Sequence, residues 1–319
     1  MSTHVFGPVI SRRLGISLGI DLIPYKTCTY DCVYCECGPT THLVDRRSTF
    51  FPEQEIISQL DRILSARPNL DYVTFAGSGE PTLSLSLGRV IDHLKSAHPG
   101  YRVAVLTNGS LCSRDDVVED LGKADLVIPT LATTRQQTFE RIHRTACLSI
   151  ETIIQGLVAF RLRYAGECWL EVFLVPPLNT TEDELESLRE AIYRIGPDRV
   201  QLNTLDRPGA EAWVAAVAGD DLERIASFMG EGGLEVDIVG RCRRRYVRPV
   251  LHDDVHDQIA GIIRRRPCTA EEIATLTGLH VGEVTKYLAD QVAEGKAVVG
   301  HENRGLFYSC RRSAGDDVR

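Results

Sequence analysis

Three thiols stand within the eight residues Cys28-Thr29-Tyr30-Asp31-Cys32-Val33-Tyr34-Cys35. Cysteines this close on one segment supply soft thiolates that can fold around a single compact metal centre. An iron–sulfur cubane is normally held by four cysteines, so three leave one iron open. An open coordination position is what separates a catalytic metal site from a structural one, as the corresponding rule for zinc states. A structural zinc site completed by Cys37 or His42 would use the same ligand types. Softness does not separate the two, although zinc more often draws ligand pairs from separated segments. The chain has ten cysteines. In a reducing compartment a disulfide framework is not expected, so Cys112, Cys147, Cys168, Cys242, Cys268 and Cys310 read as packing thiols.

This chemistry needs a frame. Short β-branched runs alternate with longer segments of helical period, the pattern of a parallel α/β fold. Strands are expected at 16–23, 71–76, 102–107, 125–129, 169–175, 199–203 and 234–239. A helix is expected at 53–67, between Pro52 and Pro68, and a capping box at Thr181 and Glu184 opens another. Such units close most naturally into a partial (β/α) TIM-type barrel, with a doubly wound open sheet as the alternative. Barrel chemistry sits on loops leaving the C-terminal strand ends. The cysteine run follows the first expected strand, and Ala76-Gly77-Ser78-Gly79-Glu80-Pro81 follows the second.

Beyond about residue 250 the long strands stop. Helices at 255–265, 270–276 (capped by Thr269 and Glu272) and 281–294 precede a hairpin around 302–305, the order of a winged-helix module. The expected division is therefore a barrel domain at 1–250 and a winged-helix-like domain at 251–319, ending in a frayed tail.

The Cys-x3-Cys-x2-Cys loop, with Tyr34 just before the last cysteine, resembles the radical S-adenosylmethionine (radical SAM) superfamily. The run Gly77, Ser78, Gly79, Glu80 resembles that superfamily's Gly-Gly-Glu-Pro element. The segments 7–20 and 24–28, Leu106-Thr107-Asn108-Gly109-Ser110 and Val175-Pro176-Pro177-Leu178-Asn179 look like the group containing the wyosine tRNA-modifying synthases. The resemblance implies a [4Fe–4S] cluster on Cys28, Cys32 and Cys35, with S-adenosylmethionine chelating the open iron. It further implies that the glycine-rich carbonyls and Glu80 receive the cofactor's amino group, and that Asn108, Thr130 and Asn179 contact its ribose or the substrate. Residues 201–203 would flank adenine, and a flavodoxin- or ferredoxin-like protein would donate electrons. Two features depart from that group. No cysteine precedes Cys28, so a second cluster for pyruvate is not expected, and no acidic residue sits near Ala132.

The net charge of −8 argues against a chain that coats nucleic acid by bulk electrostatics. Local basic groups remain. Arg243, Arg244 and Arg245 lie in a run of five arginines at 241–248, and Arg12 and Arg13 precede the first expected strand; all five are candidate phosphate or substrate contacts, or ion-pair partners. Residues 251–319 hold nine Lys/Arg against eleven Asp/Glu, and the expected recognition helix carries Glu283, Asp290 and Glu294, so duplex DNA binding is not expected. The expected activity is hydrogen abstraction by a 5′-deoxyadenosyl radical, with RNA, including tRNA, as substrate. Modification of a polypeptide gripped by the winged helix is the second reading, and a metal-sensing regulator without catalysis the third. No segment approaches the roughly 18 apolar residues of a membrane span, so a cytoplasmic protein is expected.

Overall fold

The computed structural model describes residues 4–145, 148–240, 255–302 and 305–311. The arginine run at 241–248, Cys147 and the C-terminal tail lie outside them. In chain order the elements are β1 (Val5–Ser11), β2 (Gly15–Ile20), β3 (Thr27–Cys28), β4 (His42–Leu43), α1 (Glu53–Leu64), β5 (Tyr72–Phe75), a 3₁₀ turn (Pro81–Leu83), α2 (Leu87–Ala97), β6 (Val103–Thr107), α3 (Asp115–Leu121), β7 (Leu126–Pro129), α4 (Gln136–His143), α5 (Ile150–Arg163), β8 (Glu167–Leu174), α6 (Glu182–Ile195), β9 (Arg199–Thr204), α7 (Gly219–Gly230) and β10 (Val236–Ile238). Then come α8 (Val255–Arg265), α9 (Ala270–Thr277), α10 (Val281–Ala293), β11 (Ala297–Glu302) and β12 (Gly305–Cys310).

Eight strands form one sheet in the order β1-β2-β5-β6-β7-β8-β9-β10. Only β1 runs antiparallel to its neighbour; from β2 to β10 every pairing is parallel. The order rises monotonically, so the sheet winds one way, as a partial barrel does, and lacks the reversal of a doubly wound sheet. Period-two alternation sets the two faces of each strand. On β8, Leu170, Val172 and Leu174 enter the main core with Ile56 and Leu60 of α1, Ile91 of α2 and Leu188 and Ile192 of α6. The intervening Glu171 and Phe173 face the barrel interior, so polar chemistry is carried on alternate residues of strands whose other face is wholly apolar.

Strands β1, β3 and β4 have no counterpart among the expected strands. β1 accommodates Gly7 and Pro8 because it is an edge strand with a bulge between Phe6 and Val9. The cysteine loop therefore follows the second strand. Helix α1 stops at Leu64 rather than at 67, because Arg67 takes a left-handed φ of 51° ahead of Pro68. Thr181 does accept from the Glu184 N–H, but no capping box closes: the Glu184 carboxylate turns away to Thr133 and Thr138, at 2.7 and 2.6 Å.

In the C-terminal region the Thr269–Glu272 capping box is present, and a second joins His280 and Glu283. Ile259, Ile263, Ile273, Val284, Leu288 and Tyr308 form a core separate from the barrel's. Phe75, fully buried at the end of β5, sits just before the glycine-rich turn. Phe75→Ala is expected to cost about 3–5 kcal/mol, lowering Tm by roughly 10 °C. Thermal unfolding followed by circular dichroism checks this.

Candidate active site

The cysteine loop is fixed at both flanks. The N–H groups of Asp31 and Val33 donate to the carbonyls of His143 and Ile142 at the end of α4, and Thr40 closes the loop by donating to Asp31 Oδ1 at 2.6 Å and to the Tyr30 carbonyl at 2.7 Å. Each of Cys28, Cys32 and Cys35 then meets one nitrogen from a different element. Asn108 Nδ2 lies 3.5 Å from Cys28 Sγ, His143 Nδ1 3.0 Å from Cys32 Sγ, and Lys26 Nζ 3.1 Å from Cys35 Sγ. The Asn108 amide and the Lys26 ammonium donate toward sulfur, which favours thiolate and orients those side chains; the Cys32–His143 bond runs in either direction with the histidine tautomer. Sequence reasoning had assigned no role to Lys26 or His143, because neither a lone buried lysine nor a histidine at a helix end announces its partner.

The loop's electrostatics are uneven. Burial, reinforced by the Glu80 charge, pushes the Cys28 thiol up to about 12, and burial likewise holds Cys32 well above its ordinary range. Cys35 goes the other way, to about 6, through a hydrogen bond with Cys37 and then the Lys26 ammonium. Burial alone would lower Lys26, but the sulfurs of Cys35, Cys37 and Cys28 outweigh it and the group stays charged. Burial drops His143 to about 3, so its imidazole is neutral.

The glycine-rich turn lies directly against this loop. A Cβ at Gly79 would overlap the Thr27 carbonyl oxygen, and one at Gly77 would lie 2.5 Å from the Asp21 carboxyl carbon. Asp21 accepts from Ser78 N–H and Oγ at 3.1 and 2.6 Å, and Ser78's carbonyl accepts from Lys26 N–H at 3.0 Å. Glu80 carries more than the expected cofactor contact. Its carboxylate is buried and takes four donors: Thr82 N–H at 3.0 Å, Thr82 Oγ1 at 2.5 Å, Thr107 Oγ1 at 2.6 Å and Asn108 N–H at 2.7 Å. Three of these donors share Oε1 and one reaches Oε2, so the carboxylate positions Asn108 and the turn. Asn179 differs from expectation, for it is fully buried, accepts from Val175 N–H and donates to the carbonyls of Ala132 and Phe173. Its amide builds the β8 loop and has no proton left for a ribose.

Inside the barrel, the buried Glu171 carboxylate is a hub that the sequence did not reveal. It accepts from Arg13, from Thr130 Oγ1 at 2.7 Å and from Asn203 Nδ2 at 2.7 Å. Burial would raise its pKa, yet Arg13 and the two hydrogen bonds hold it below the usual carboxylate range. Thr130 is therefore committed to Glu171, and Arg13 makes the ion pair that was the plainer of its two expected roles. Nearby on β9, Gln201 Oε1 is buried with no partner among the described residues. Tyr34 stacks on Phe173 at 3.8 Å between ring centroids. Arg12 pairs with Glu36 and Asp206 at 3.1 and 3.2 Å, and the buried Arg207 joins Glu36 at 3.2 Å to Glu272 of α9 at 2.9 Å.

A profile of the radical SAM superfamily matches residues 22–192. The UPF0026 protein MJ1312 of Methanocaldococcus jannaschii is 30% identical over 312 residues, 96% of this chain and 95% of that protein. A "GTPase Obg" of Brachyspira hyodysenteriae is 36% identical over 310 residues, again 96% of this chain; the chain spans only 45% of that protein's length. In fold it is similar to a radical SAM methyltransferase from Sphaerobacter thermophilus (TM-score 0.53, 15% identity, 70% of this chain and 65% of that one). It is also similar to TYW1 with a lysine-pyruvate adduct bound (TM-score 0.51, 17% identity, 68% and 73%). The chain belongs to the radical SAM superfamily, and within it to the UPF0026 proteins. Members of the superfamily are enzymes that bind a [4Fe–4S] cluster and S-adenosylmethionine, and they need an electron donor.

The residues present fit those groups. Three thiols share one loop, each with a nitrogen directed at it. Their sulfurs do not gather within 4.8 Å of one another, the spacing a single ion would impose, although such a set does exist elsewhere among the described residues. A cubane, which seats its cysteines on separate irons, suits the wider spread. The buried, unpaired Gln201 oxygen is an acceptor in want of a donor such as an exocyclic amine.

A thiol with pKa about 6 is mostly thiolate at neutral pH, whereas one near 12 is not. In cluster-free protein at pH 7, iodoacetamide is expected to alkylate Cys35 well ahead of Cys28 and Cys32. Cys37→Ala or Lys26→Met should erase the preference, read by peptide mapping in a mass spectrometer.

Proposed function

We propose that this enzyme abstracts hydrogen from a nucleotide in RNA. Cys28, Cys32 and Cys35 would hold the cluster, the backbone at Gly77, Ser78 and Gly79 would cradle the methionine moiety, and Gln201 would accept from the adenine amine. When bound, the cluster and S-adenosylmethionine supply, after one-electron reduction by a flavodoxin- or ferredoxin-like protein, a 5′-deoxyadenosyl radical. The chain's own residues do the rest. Lys26, Asn108 and His143 orient the ligands, and Tyr34 and Phe173 wall the site against water.

The observation that carries the RNA reading is a cavity of about 810 Å³ between β1, β2 and β5 of the barrel and α8 and α9. It reaches Cys37 and Gly77, and Arg12, Arg13, Arg62, Arg265 and Arg266 line it with Glu36; Arg12 and Arg13 there also serve the ion pairs to Glu36, Asp206 and Glu171. Arg265 lies over the Phe6 ring at 4.3 Å, and arginine forks beside an aromatic face suit phosphate and base together. Arg243, Arg244 and Arg245, outside the described residues, would extend the basic surface. The acidic 251–319 segment would act as a winged-helix-like docking unit for RNA ends instead of duplex DNA.

The test is 5′-deoxyadenosine formation by the reduced, anaerobic holoenzyme. Total small RNA is expected to stimulate it about tenfold or more, ribonuclease should remove the effect, and Cys32→Ala should abolish turnover. Stimulation by a peptide fraction and not by RNA would overturn the substrate while leaving the chemistry in place.

A further inference from the structure

We propose a divalent metal site on the outer helical layer, formed by Asp61 of α1 with His93 of α2 and His98 just past its end. These residues have no part in the chemistry above. Their ligand atoms, Asp61 Oδ1 and the two imidazole Nε2 atoms, all lie within 4.8 Å of one another, and they are the one such set of three among the described residues. Oδ1 is 2.8 Å from His93 Nε2 and 2.7 Å from His98 Nε2.

Without an ion, a single carboxylate oxygen takes two imidazole N–H donors. With one, each ring carries its N–H on Nδ1 and turns the Nε2 lone pair to the metal. Zinc holds nitrogen and carboxylate ligands at about 2.0–2.2 Å, so donors around it stand roughly 3.3 Å apart. The Asp61–histidine spacings of 2.8 and 2.7 Å need about half an ångström of side-chain expansion. All three residues are partly exposed, Asp61 the most at 46% and His98 the least at 16%, which leaves solvent-facing positions for water ligands. Two imidazoles and one carboxylate suit zinc, and by the same donor softness nickel or copper, and disfavour magnesium or calcium, which want oxygen.

The placement gives the ion a purpose. His98 ends α2, and Asp61 lies in the last turn of α1, beside Arg62 and Ile63, which line the large cavity. A metal joining the two helices would fix that wall of the cavity from behind.

The experiment uses cluster-loaded protein dialysed anaerobically against micromolar zinc. We expect about one zinc retained per chain beyond the iron, bound on the order of 100-fold more weakly in His98→Ala and in Asp61→Asn, since a lost ligand costs at least as much as a lost outer partner. Asp61→Asn keeps the shape and an acceptor oxygen, so it separates ligation from simple hydrogen bonding. Zinc X-ray absorption should show nitrogen and oxygen neighbours only. No retained zinc, equal retention in both variants, or a sulfur shell from ion held at the cysteine loop would each overturn the proposal.

Discussion

A single buried carboxylate joins the parts of this site. Glu80 gathers donors from its own turn (Thr82), from the end of β6 (Thr107) and from the loop beyond it (Asn108). Asn108 in turn reaches Thr29 and Cys28. Burying an anion is tolerable only when donors compensate it, and here four do so. The glycine-rich turn, the third loop and Cys28 are thereby held in one network, whose members are expected to shift together. Glycine at 79 belongs to the same constraint, since any larger residue would push the turn away from the cysteine loop.

A second group of charges works at greater range. Arg12 from the first hairpin, Glu36 within the cysteine loop, Asp206 and Arg207 beyond β9 and Glu272 on α9 form a continuous chain of ion pairs. Arg207 is nearly fully buried, and its Nε finds no partner among the described residues. Such pairs add little net stability, but removing one partner strands the others, so they specify an arrangement more than they strengthen it. What they specify is the seating of the C-terminal helices against the loop that carries the cysteines.

The three thiols, the glycine-rich turn and the repeated strand-helix pattern were legible because each is local: spacing, turn chemistry and periodicity are written within a few residues. Edge strand β1 was not, because Gly7 and Pro8 look like breakers until the strand's edge position is known. Asn179 was recognised as belonging to the site but not as a group that builds its own loop, since a sequence does not say whether a polar side chain faces a ligand or is consumed by neighbouring backbone. Glu171, Lys26 and His143 were missed for the complementary reason. Their partners lie 158, 9 and 111 residues away, and only the fold brings them together.

Glu272 closes the capping box of α9 through one oxygen and binds Arg207 through the other. The first turn of α9 therefore cannot fray by itself: releasing it loosens the cap and leaves a buried guanidinium short of one of its counter-charges. Helix start and cysteine loop then melt or hold as one cooperative unit, although some 230 residues of chain lie between them. A molecule that grasps the C-terminal helices would thus have a direct mechanical line to the residue between Cys35 and Cys37.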